Sequence, residues 1–297
     1  MCNKDVTIIF VNYKTKDLTT QAIKSVIEKT VGIEYEIFVV DNASNDGSIE
    51  AIEQQFSNIN IIRNSVNAGF GSANNLAIKQ AKGKYILCLN TDTLLVNNAI
   101  KIMFDFMEKD ENKNVGVCGG YLFDETGNPC FCGGNFPSIK EIFWKFGLKY
   151  IFKNKYKKIA VALKSNEIKG SNIDHIIGAN IFFRKSCLDK VGLFDEKFFM
   201  YREETDLCKR ISDIGYDIKF VPAAHIIHLE GASTNNQKLD TLKRLKTSEL
   251  YYFKKHYSNQ VYIVKILYFL LYLLDYYLCK TNYSKDLAFY ILKEKIQ

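Results

Sequence analysis

The sequence has few of the residues that mark linkers, leaders and metal clusters. It holds 3 prolines in 297 residues, and we find no low-complexity linker and no internal repeat. Its first residues, MCNKDVTIIFVNYK, lack an apolar signal-peptide core and a small-residue cleavage site, so we expect a cytoplasmic chain. Cys130 and Cys132 have no second cysteine pair beside them, which is too little for a zinc site. The other cysteines lie mostly singly in apolar runs, as reduced buried thiols do.

The charge is moderately basic, with 40 Lys and Arg against 33 Asp and Glu. This balance favours acidic partners, such as nucleoside diphosphates or an anionic membrane surface. It does not indicate nucleic acid, because the basic residues form no aromatic-interleaved stripe. One basic and aromatic run, residues 145–158, has no acidic residue. It is either a solvated surface segment or a segment that meets a membrane or an anionic acceptor.

Strand-like and helix-like patterns alternate through the first half of the chain. We predict strands at residues 6–11, 36–40, 59–62, 84–89 and 115–119, with amphipathic helices between them. Farther on, we predict a strand at residues 174–183, a helix at 204–214 and a strand at 218–221. The pattern predicts an α/β fold with a mostly parallel sheet flanked by helices, and ligands at the carboxyl ends of its strands.

The end of the chain is helical, with a charged helix at residues 237–256 and an apolar run at 261–278. The best boundary lies near residues 235–237. We therefore expect a catalytic domain at residues 1–236 and a C-terminal helical extension at 237–297.

Short polar side chains follow the predicted second strand. Asp41, Asn42 and Ser44 have the groups to hydrogen-bond a nucleobase and a ribose, although Ser44 or Asp46 would also serve a simple helix cap.

A glycine turn follows the predicted third strand, in the segment NAGFGSANN that runs from Asn67 to Asn75. Gly69 and Gly71 allow close backbone approach, and the helix that follows favours an anion at its N-terminus. We therefore expect Asn67, Gly69 and Asn75 to contact a bound nucleotide. Since Asn74 occupies the last glycine position of G-x-G-x-x-G, the segment argues against a dinucleotide site. By itself it is better explained as a helix-start turn.

A carboxylate follows the predicted fourth strand, in the segment LNTDT. Asp92 is a candidate ligand for a divalent cation that bridges a diphosphate, with Asn90 as a neutral helper. His228 follows a predicted strand and could either complete a metal site with Asp92 or contact a diphosphate. The alternatives are a helix cap for Asp92 and a packing role for a lone histidine; we expect His225 to pack.

Three carboxylates begin a predicted helix after the aromatic stretch FDEKFFMYR. Glu203, Glu204 and Asp206 exceed what a helix start needs for its dipole. A partly desolvated carboxylate of this kind is a suitable general base.

The order of these motifs resembles glycosyltransferase family 2, inverting enzymes with the GT-A fold. The matching segments run through residues 5–257 and include VDNASNDGS, NAGFGSANN, LNTD, GAN, FDEKFFMYxEETDL and VPAAxxxHxxGAS. Rhamnosyltransferase-like enzymes of bacterial cell-surface polysaccharide assembly are the most similar subgroup. The resemblance is specific as an ensemble, although each motif alone is not.

The resemblance implies a role for each matching position. Val11, Tyr13, Asp41 and Asn42 would line the base and ribose. Asn90 and Asp92 stand where the family has its D-x-D metal motif, and Asn90 replaces the first acid. Glu203 and Glu204 stand where many members have Glu-Asp, so the usual base is one methylene longer here.

We therefore expect an inverting transfer from a nucleoside-diphosphate sugar to a hydroxyl of a cell-surface glycan or lipid-linked acceptor, with Mg²⁺ or Mn²⁺ at Asp92 and Glu204 as base. A sugar-nucleotide pyrophosphorylase is the first alternative, but residues 11–15 hold no glycine-rich, arginine-containing loop. A non-catalytic, membrane-bound glycan-binding module is the second, and the three acids argue against it.

The apolar run Val261–Leu278 is about as long as a membrane-spanning helix, which needs roughly 20 apolar residues. Lys265 and Asp275 interrupt it, so we expect a peripheral anchor on the inner face of the cell membrane. The alternatives are a helix packed on the catalytic domain or in a homodimer, and then a spanning helix.

Overall fold

A computed structural model describes residues 4–143, 173–229, 238–279 and 282–295. The strands are β1 (Lys4–Asn12), β2 (Tyr35–Asp41), β3 (Ile59–Arg63), β4 (Gly83–Leu89), β5 (Thr93–Leu95), β6 (Val115–Phe123), β7 (Gly133–Gly134), β8 (His175–Ile176), β9 (Asn180–Arg184) and β10 (Asp217–His228).

The helices alternate with these strands in the first half of the chain, and three helices follow the last strand. They are α1 (Lys16–Lys29), α2 (Ser48–Gln55), α3 (Phe70–Ile78), α4 (Ala99–Glu108), a 3₁₀ turn (Asp110–Asn112), α5 (Ile139–Phe143), α6 (Lys185–Val191), α7 (Glu203–Asp213), α8 (Lys238–His256), α9 (Val261–Cys279) and α10 (Asn282–Lys293).

Eight strands form one sheet in the order β3-β2-β1-β4-β9-β6-β10-β5. Six of them run in the same direction, while β9 is antiparallel to β4 and β6, and β5 is antiparallel to β10. The predicted α/β fold with a mostly parallel sheet is therefore confirmed. The order reverses around β1 and β4, and ligands of such sheets bind outside the carboxyl ends at that switch point.

The central strands are buried on both faces, which is why they read as continuous apolar runs. Ile8 and Ile9 of β1 and Ile86 and Leu87 of β4 are fully buried. Strands covered by helices on both sides cannot alternate polar and apolar residues. The burial of these runs therefore supplies the core that supports the polar strand ends.

The predicted strand at residues 174–183 is wrong as a single element. It divides into β8, which pairs with β7, and β9, which enters the main sheet. The predicted strand at 218–221 continues to His228 as β10, with an irregular register between Val221 and His225. Pro222 lies in this stretch, and proline has no N–H for the ladder.

The described residues form two compact units. The first comprises residues 4–135, 173–196 and 203–229 and contains the eight-stranded sheet. The second comprises residues 136–143, 197–202, 238–279 and 282–295. Its core is a cluster of apolar side chains from α5, α8, α9 and α10, which includes Ile142, Leu250, Phe253, Val264, Leu287 and Ile291. The predicted boundary near 235–237 and the basic run at 145–158 lie outside the described residues.

Candidate active site

The carboxyl ends of β1 and β2 meet in a buried hydrogen-bond network. Asn12, the last residue of β1, donates from Nδ2 to Asp41 Oδ1 (2.7 Å) and to Ser44 Oγ (3.0 Å). Ser44 Oγ donates to the same carboxylate oxygen (2.5 Å), and its backbone N–H donates to Asp41 Oδ2 (3.1 Å). The network fixes the orientation of Asp41 beside the switch point of the sheet.

The network extends to α1 and to the end of β4. Asn12 Oδ1 accepts hydrogen bonds from Thr15 Oγ1 (3.0 Å) and Thr19 Oγ1 (2.7 Å). Thr15 Oγ1 is also within hydrogen-bond distance of Thr91 Oγ1 (3.1 Å), a residue that follows β4. Neither threonine is among the site residues predicted from the sequence. A fully buried asparagine after an apolar strand, with threonines three and seven residues later, is the signal that could have identified the network.

The loop after β2 has a constrained backbone. Ala43 has φ 63° and Asn45 has φ 50°, both in the left-handed region that residues with a Cβ rarely adopt. Ser44 contacts Asn12 and Asp41 and does not cap α2. Asp46 instead accepts the backbone N–H of Ser48 (3.0 Å), so one of the two expected helix-start contacts is present.

The other residues expected at the base and ribose surround this loop. Val11 is half-buried in β1, and Tyr13 beyond the strand is exposed. Asn42 is buried; its Nδ2 donates to the Gly69 carbonyl (3.1 Å). The structure therefore joins the β2 loop to the glycine turn.

The glycine turn begins α3 and requires glycine at two positions. Gly69 has φ 86°, and its N–H donates to Asn67 Oδ1 (3.0 Å). A Cβ added at Gly71 would lie 2.9 Å from the Cβ of Phe194 and 3.6 Å from the Cβ of Glu203. The first turn of α3 thus lies directly against the start of α7.

Asn75 holds the segment that leads toward α7. Its Oδ1 accepts the Phe194 N–H (3.0 Å), and its Nδ2 donates to the Phe194 carbonyl (2.9 Å) and to Glu196 Oε1 (3.1 Å). These contacts give Asn75 a structural role, while the expected contact with a nucleotide remains a prediction.

The three acids occupy the first turn of α7 but differ in surroundings. Glu203 is buried, and Glu204 is half-buried, with Oε1 accepting from Thr205 Oγ1 (3.0 Å). Asp206 is fully buried and paired with Arg210 (3.0 Å). The same guanidinium donates to carbonyls that precede α7, those of Val191, Gly192 and Leu193. Asp206 therefore anchors the loop, which leaves Glu203 and Glu204 as the better candidates for proton transfer.

Asp92 and His228 are brought together by strand pairing. Thr93 of β5 is the register partner of His228, the last residue of β10, and the Leu229 N–H donates to the Asp92 carbonyl (2.9 Å). As a result His228 Nε2 lies 3.3 Å from Asp92 Oδ1. His228 thus ends a strand rather than following one, and Asp92 precedes β5 rather than a helix.

The two side chains form a set of donors that fits a divalent cation. A carboxylate and an imidazole suit Mn²⁺, and Mg²⁺ is commonly held by one or two carboxylates together with substrate phosphates. Among the described residues no group of three or more His, Cys, Asp or Glu side chains could hold a metal. Asn90 lies two residues from Asp92, and its N–H donates to the Ala179 carbonyl (3.0 Å). His225 packs against Phe123, as expected.

The comparisons with known proteins identify the class. The model of the family "Glycosyl transferase family 2" matches residues 6–192, more than half of the chain. The chain therefore belongs to glycosyltransferase family 2, and it is an enzyme of the glycosyltransferase class.

Two curated relatives refine this assignment. The chain is 24% identical over 219 residues to the N-acetylglucosaminyl-diphospho-decaprenol L-rhamnosyltransferase of Mycobacterium tuberculosis, covering 67% of each protein. It is 29% identical over 203 residues to rhamnosyltransferase WbbL of Escherichia coli, covering 65% of this chain and 72% of that protein. The chain is thus rhamnosyltransferase-like, as the motif order indicated.

Solved structures confirm the GT-A fold. The mannosyltransferase of Pyrobaculum calidifontis, in complex with GDP-Man and Mn²⁺, superposes with a TM-score of 0.61 at 14% identity, covering 98% of this chain and 74% of that one. TarS of S. aureus, in complex with UDP, superposes with a TM-score of 0.53 at 15% identity, covering 83% and 65%.

Proposed function

We propose that this glycosyltransferase moves a sugar, with inversion, from a nucleoside-diphosphate sugar to a hydroxyl of a cell-surface glycan or lipid-linked acceptor. Rhamnose is the first sugar to test, because two relatives are rhamnosyltransferases. The solved neighbours that hold GDP-Man or UDP support a nucleotide donor, and a relative named for a decaprenol-linked sugar supports a lipid-linked acceptor.

One observation carries the proposal: the acidic start of α7 lies against the glycine turn that begins α3. A Cβ at Gly71 would be in van der Waals contact with Glu203. The first-turn N–H groups of a helix favour an anion such as a diphosphate. A carboxylate base would then lie beside the site that binds the leaving diphosphate. A direct displacement needs the two groups this close together.

The displacement assigns a task to each part of the site. Hydrogen bonds from Asn12 and Ser44 orient the Asp41 carboxylate, which contacts the base and ribose. Glu204 accepts the proton of the acceptor hydroxyl as its oxygen bonds to the anomeric carbon. The bond from that carbon to the diphosphate breaks on the opposite face, which inverts the configuration and releases a nucleoside diphosphate.

Asp92 and His228, with Asn90 nearby in sequence, would hold Mg²⁺ or Mn²⁺. A divalent cation supplies positive charge that stabilises the departing diphosphate. The neighbour solved with Mn²⁺ supports this assignment.

The first experiment measures donor binding and turnover together. Thermal shift with a panel of nucleotide sugars and Mn²⁺ identifies the donor, since a ligand that binds the folded state raises the melting temperature. Release of nucleoside diphosphate then reports transfer, and NMR of the product reports its anomeric configuration. A retained configuration would contradict the single displacement.

Glu204→Gln tests the base. We expect turnover to fall about 100- to 10 000-fold, the usual worth of general base catalysis, with donor affinity within a few-fold. Asp213→Asn is a matched control, because Asp213 is an exposed carboxylate of the same helix, paired with Lys209. Normal turnover in Glu204→Gln would indicate Glu203 as the base. If Glu203→Gln is also active, Asp206 becomes the candidate.

We also propose that α9 lies on a membrane surface. By length and composition alone, α9 is the one helix among the described residues that could cross a membrane, and 17% of that stretch is buried. One face packs into the core of its unit through Val261, Val264 and Tyr268. The opposite face exposes Tyr262, Ile263, Ile266, Leu270, Leu274, Tyr277 and Leu278.

The charges within α9 favour lying on the membrane over crossing it. Lys265 Nζ donates to the Glu294 carbonyl (2.8 Å), and Asp275 accepts from Ser284 Oγ (2.6 Å). Both charges are therefore held by the C-terminal segment, which leaves the exposed face apolar. The sequence offers five basic residues of α8 that would meet anionic headgroups: Lys243, Arg244, Lys246, Lys254 and Lys255. Lys246 does not fit this role, because it is buried and paired with Glu249.

Flotation with vesicles tests this surface. We expect the full chain to float with anionic vesicles and less with neutral ones, and the double variant Ile266→Asp/Leu270→Asp to remain at the bottom. Glu53→Gln is the control, because Glu53 lies in α2, in the other unit, and forms an exposed ion pair with Arg63. Resistance of the cellular protein to carbonate extraction would indicate a spanning helix. A concentration-dependent dimer lost in the double variant would assign the face to a second copy.

A further inference from the structure

The backbone immediately before α7 is strained. Tyr201 and Arg202 have φ 69° and 70°, so two consecutive bulky residues are left-handed. Residues with a Cβ visit this conformation singly and at an energetic cost, and such strain persists only where surrounding contacts hold it. The residues that follow are Glu203 and Glu204. The acids therefore directly follow two residues of strained backbone.

A buried ionic cluster of α8 holds this strained segment. Arg202 Nη2 lies 2.5 Å from Glu249 Oε1, and Lys246 Nζ lies 2.5 Å from Glu249 Oε2. Each oxygen of Glu249 thus has a cation. Ser248 Oγ also donates to the carbonyl of Met200 (2.7 Å). Glu249 is 3% exposed, so these charges are sheltered from water.

Aromatic contacts fix the cluster in its own unit. Lys246 Nζ lies 4.0 Å from the ring centroid of Tyr268 on α9, and Phe198 packs edge-on against Tyr251 of α8. Residues 197–202 belong to the second unit, and the chain enters the first unit at Glu203. One of the points at which the chain passes from one unit to the other is therefore the peptide bond that precedes the acids.

We propose that Glu249 is a positioning residue for transfer. Through Arg202 it holds residues 200–202 in the strained conformation that presents Glu203 and Glu204 at the start of α7. The inference rests on the proposed function of these acids. It explains why a carboxylate remote in sequence is buried between two cations, a costly arrangement that hydrophobic residues would replace if stability alone mattered.

Kinetics of single and double variants test the inference. We expect Glu249→Gln and Arg202→Gln each to lower kcat about 10- to 100-fold, the effect of a misplaced catalytic group, with donor KM and dissociation constant within twofold. If Glu249 acts through Arg202, the double variant is no slower than the slower single variant. Asp240→Asn, an exposed carboxylate of the same helix, should keep wild-type kcat.

A second pair of variants isolates the strain. Arg202→Ala and Arg202→Gly lose the same side-chain contacts, but glycine tolerates φ 70°. We expect Arg202→Ala to melt at a lower temperature than Arg202→Gly, while both lose kcat. If Glu249→Gln fails to fold, Glu249→Asp and Arg202→Lys replace it in the test. They keep both charges but alter the geometry of the ion pair, and we expect them to lower kcat with donor KM unchanged.

Hydrogen exchange provides a measure that needs no activity. In Glu249→Gln we expect faster exchange at residues 199–206 and unchanged exchange in β1 and β4. A kcat within twofold of wild type in Glu249→Gln and Arg202→Gln, or equal losses in kcat and donor affinity, would overturn the inference. An inactive wild-type chain with every donor would instead overturn the proposed function, and the exchange result would then still decide whether Glu249 holds the segment.

Discussion

Asn12 is the side chain whose removal should perturb the site most. It is fully buried, and Asn12→Ala deletes two donated hydrogen bonds, to Asp41 and Ser44, and two accepted ones, from Thr15 and Thr19. A hydrogen bond to a charged group contributes about 1.5–3 kcal/mol and a neutral one about 0.5–1.5 kcal/mol.

The sum is reduced because some partners keep other contacts. Ser44 still donates to Asp41, and Thr15 remains within hydrogen-bond distance of Thr91. We therefore expect Asn12→Ala to lower the free energy of unfolding by about 2–4 kcal/mol, with most of the loss from the carboxylate. It should also weaken nucleotide binding, because the orientation of Asp41 relaxes.

Urea denaturation followed by tryptophan fluorescence and circular dichroism measures the first effect, and calorimetric titration with the nucleotide found by the donor screen measures the second. Asn60→Ala is the matched control: Asn60 lies in β3 and donates one hydrogen bond, to the Ile37 carbonyl (3.2 Å). A loss below 1 kcal/mol in Asn12→Ala, or a loss equal to that in the control, would refute the reasoning.

Three further predictions follow from the site and its supports. Asp92→Asn should weaken donor binding in Mn²⁺ and leave metal-free binding unchanged, as measured by titration with and without chelator; full wild-type activity in excess chelator would contradict the cation site. Gly71→Ala should lower both the melting temperature and turnover, because its Cβ would press on Phe194, whereas Gly127→Ala tests only the backbone, since no atom lies near its Cβ. Burial raises the pKa of Glu249, but Lys246 and Arg202 outweigh it and hold the pKa below its ordinary value. Its stabilisation is thus complete above about pH 4.3, the ordinary value for Glu, and is lost as pH falls toward the lower folded-state pKa. In Glu249→Gln the free energy of unfolding, measured by urea denaturation between pH 6 and 3, should therefore fall less steeply with falling pH than in the wild type.

Long, strongly patterned elements could be predicted from the sequence, and short or tertiary ones could not. The apolar runs of β1 and β4 and the helical stripe of α4 have enough residues to establish a period. β5 has three residues and no period, and it exists only because β10 offers an edge. The break between β8 and β9 arises because each pairs with a different sheet, which no local pattern records.

The candidate site shows the same division. The acids of α7 and the glycine turn have local signals, since their residue types are unusual for the positions they occupy. The juxtaposition of Asp92 with His228 was anticipated only as one alternative, because it depends on the register of two strands far apart in sequence. Asn12 could not be predicted as a residue of the site, because its role depends on hydrogen bonds to four partners that only the folded chain brings together.

The composition of the second unit also governs the order in which the chain can fold during synthesis. Residues 136–143 and 197–202 belong to a unit whose other members are α8, α9 and α10. Ile142 has its core partners Leu250, Phe253 and Leu287 only after the ribosome has added more than about 100 further residues. At about 5–20 residues per second, this takes roughly 5–30 s. The strained residues before Glu203 wait a shorter time for Glu249, which lies fewer than 50 residues farther along the chain. A nascent chain can therefore pair its first strands well before the core of the second unit is complete.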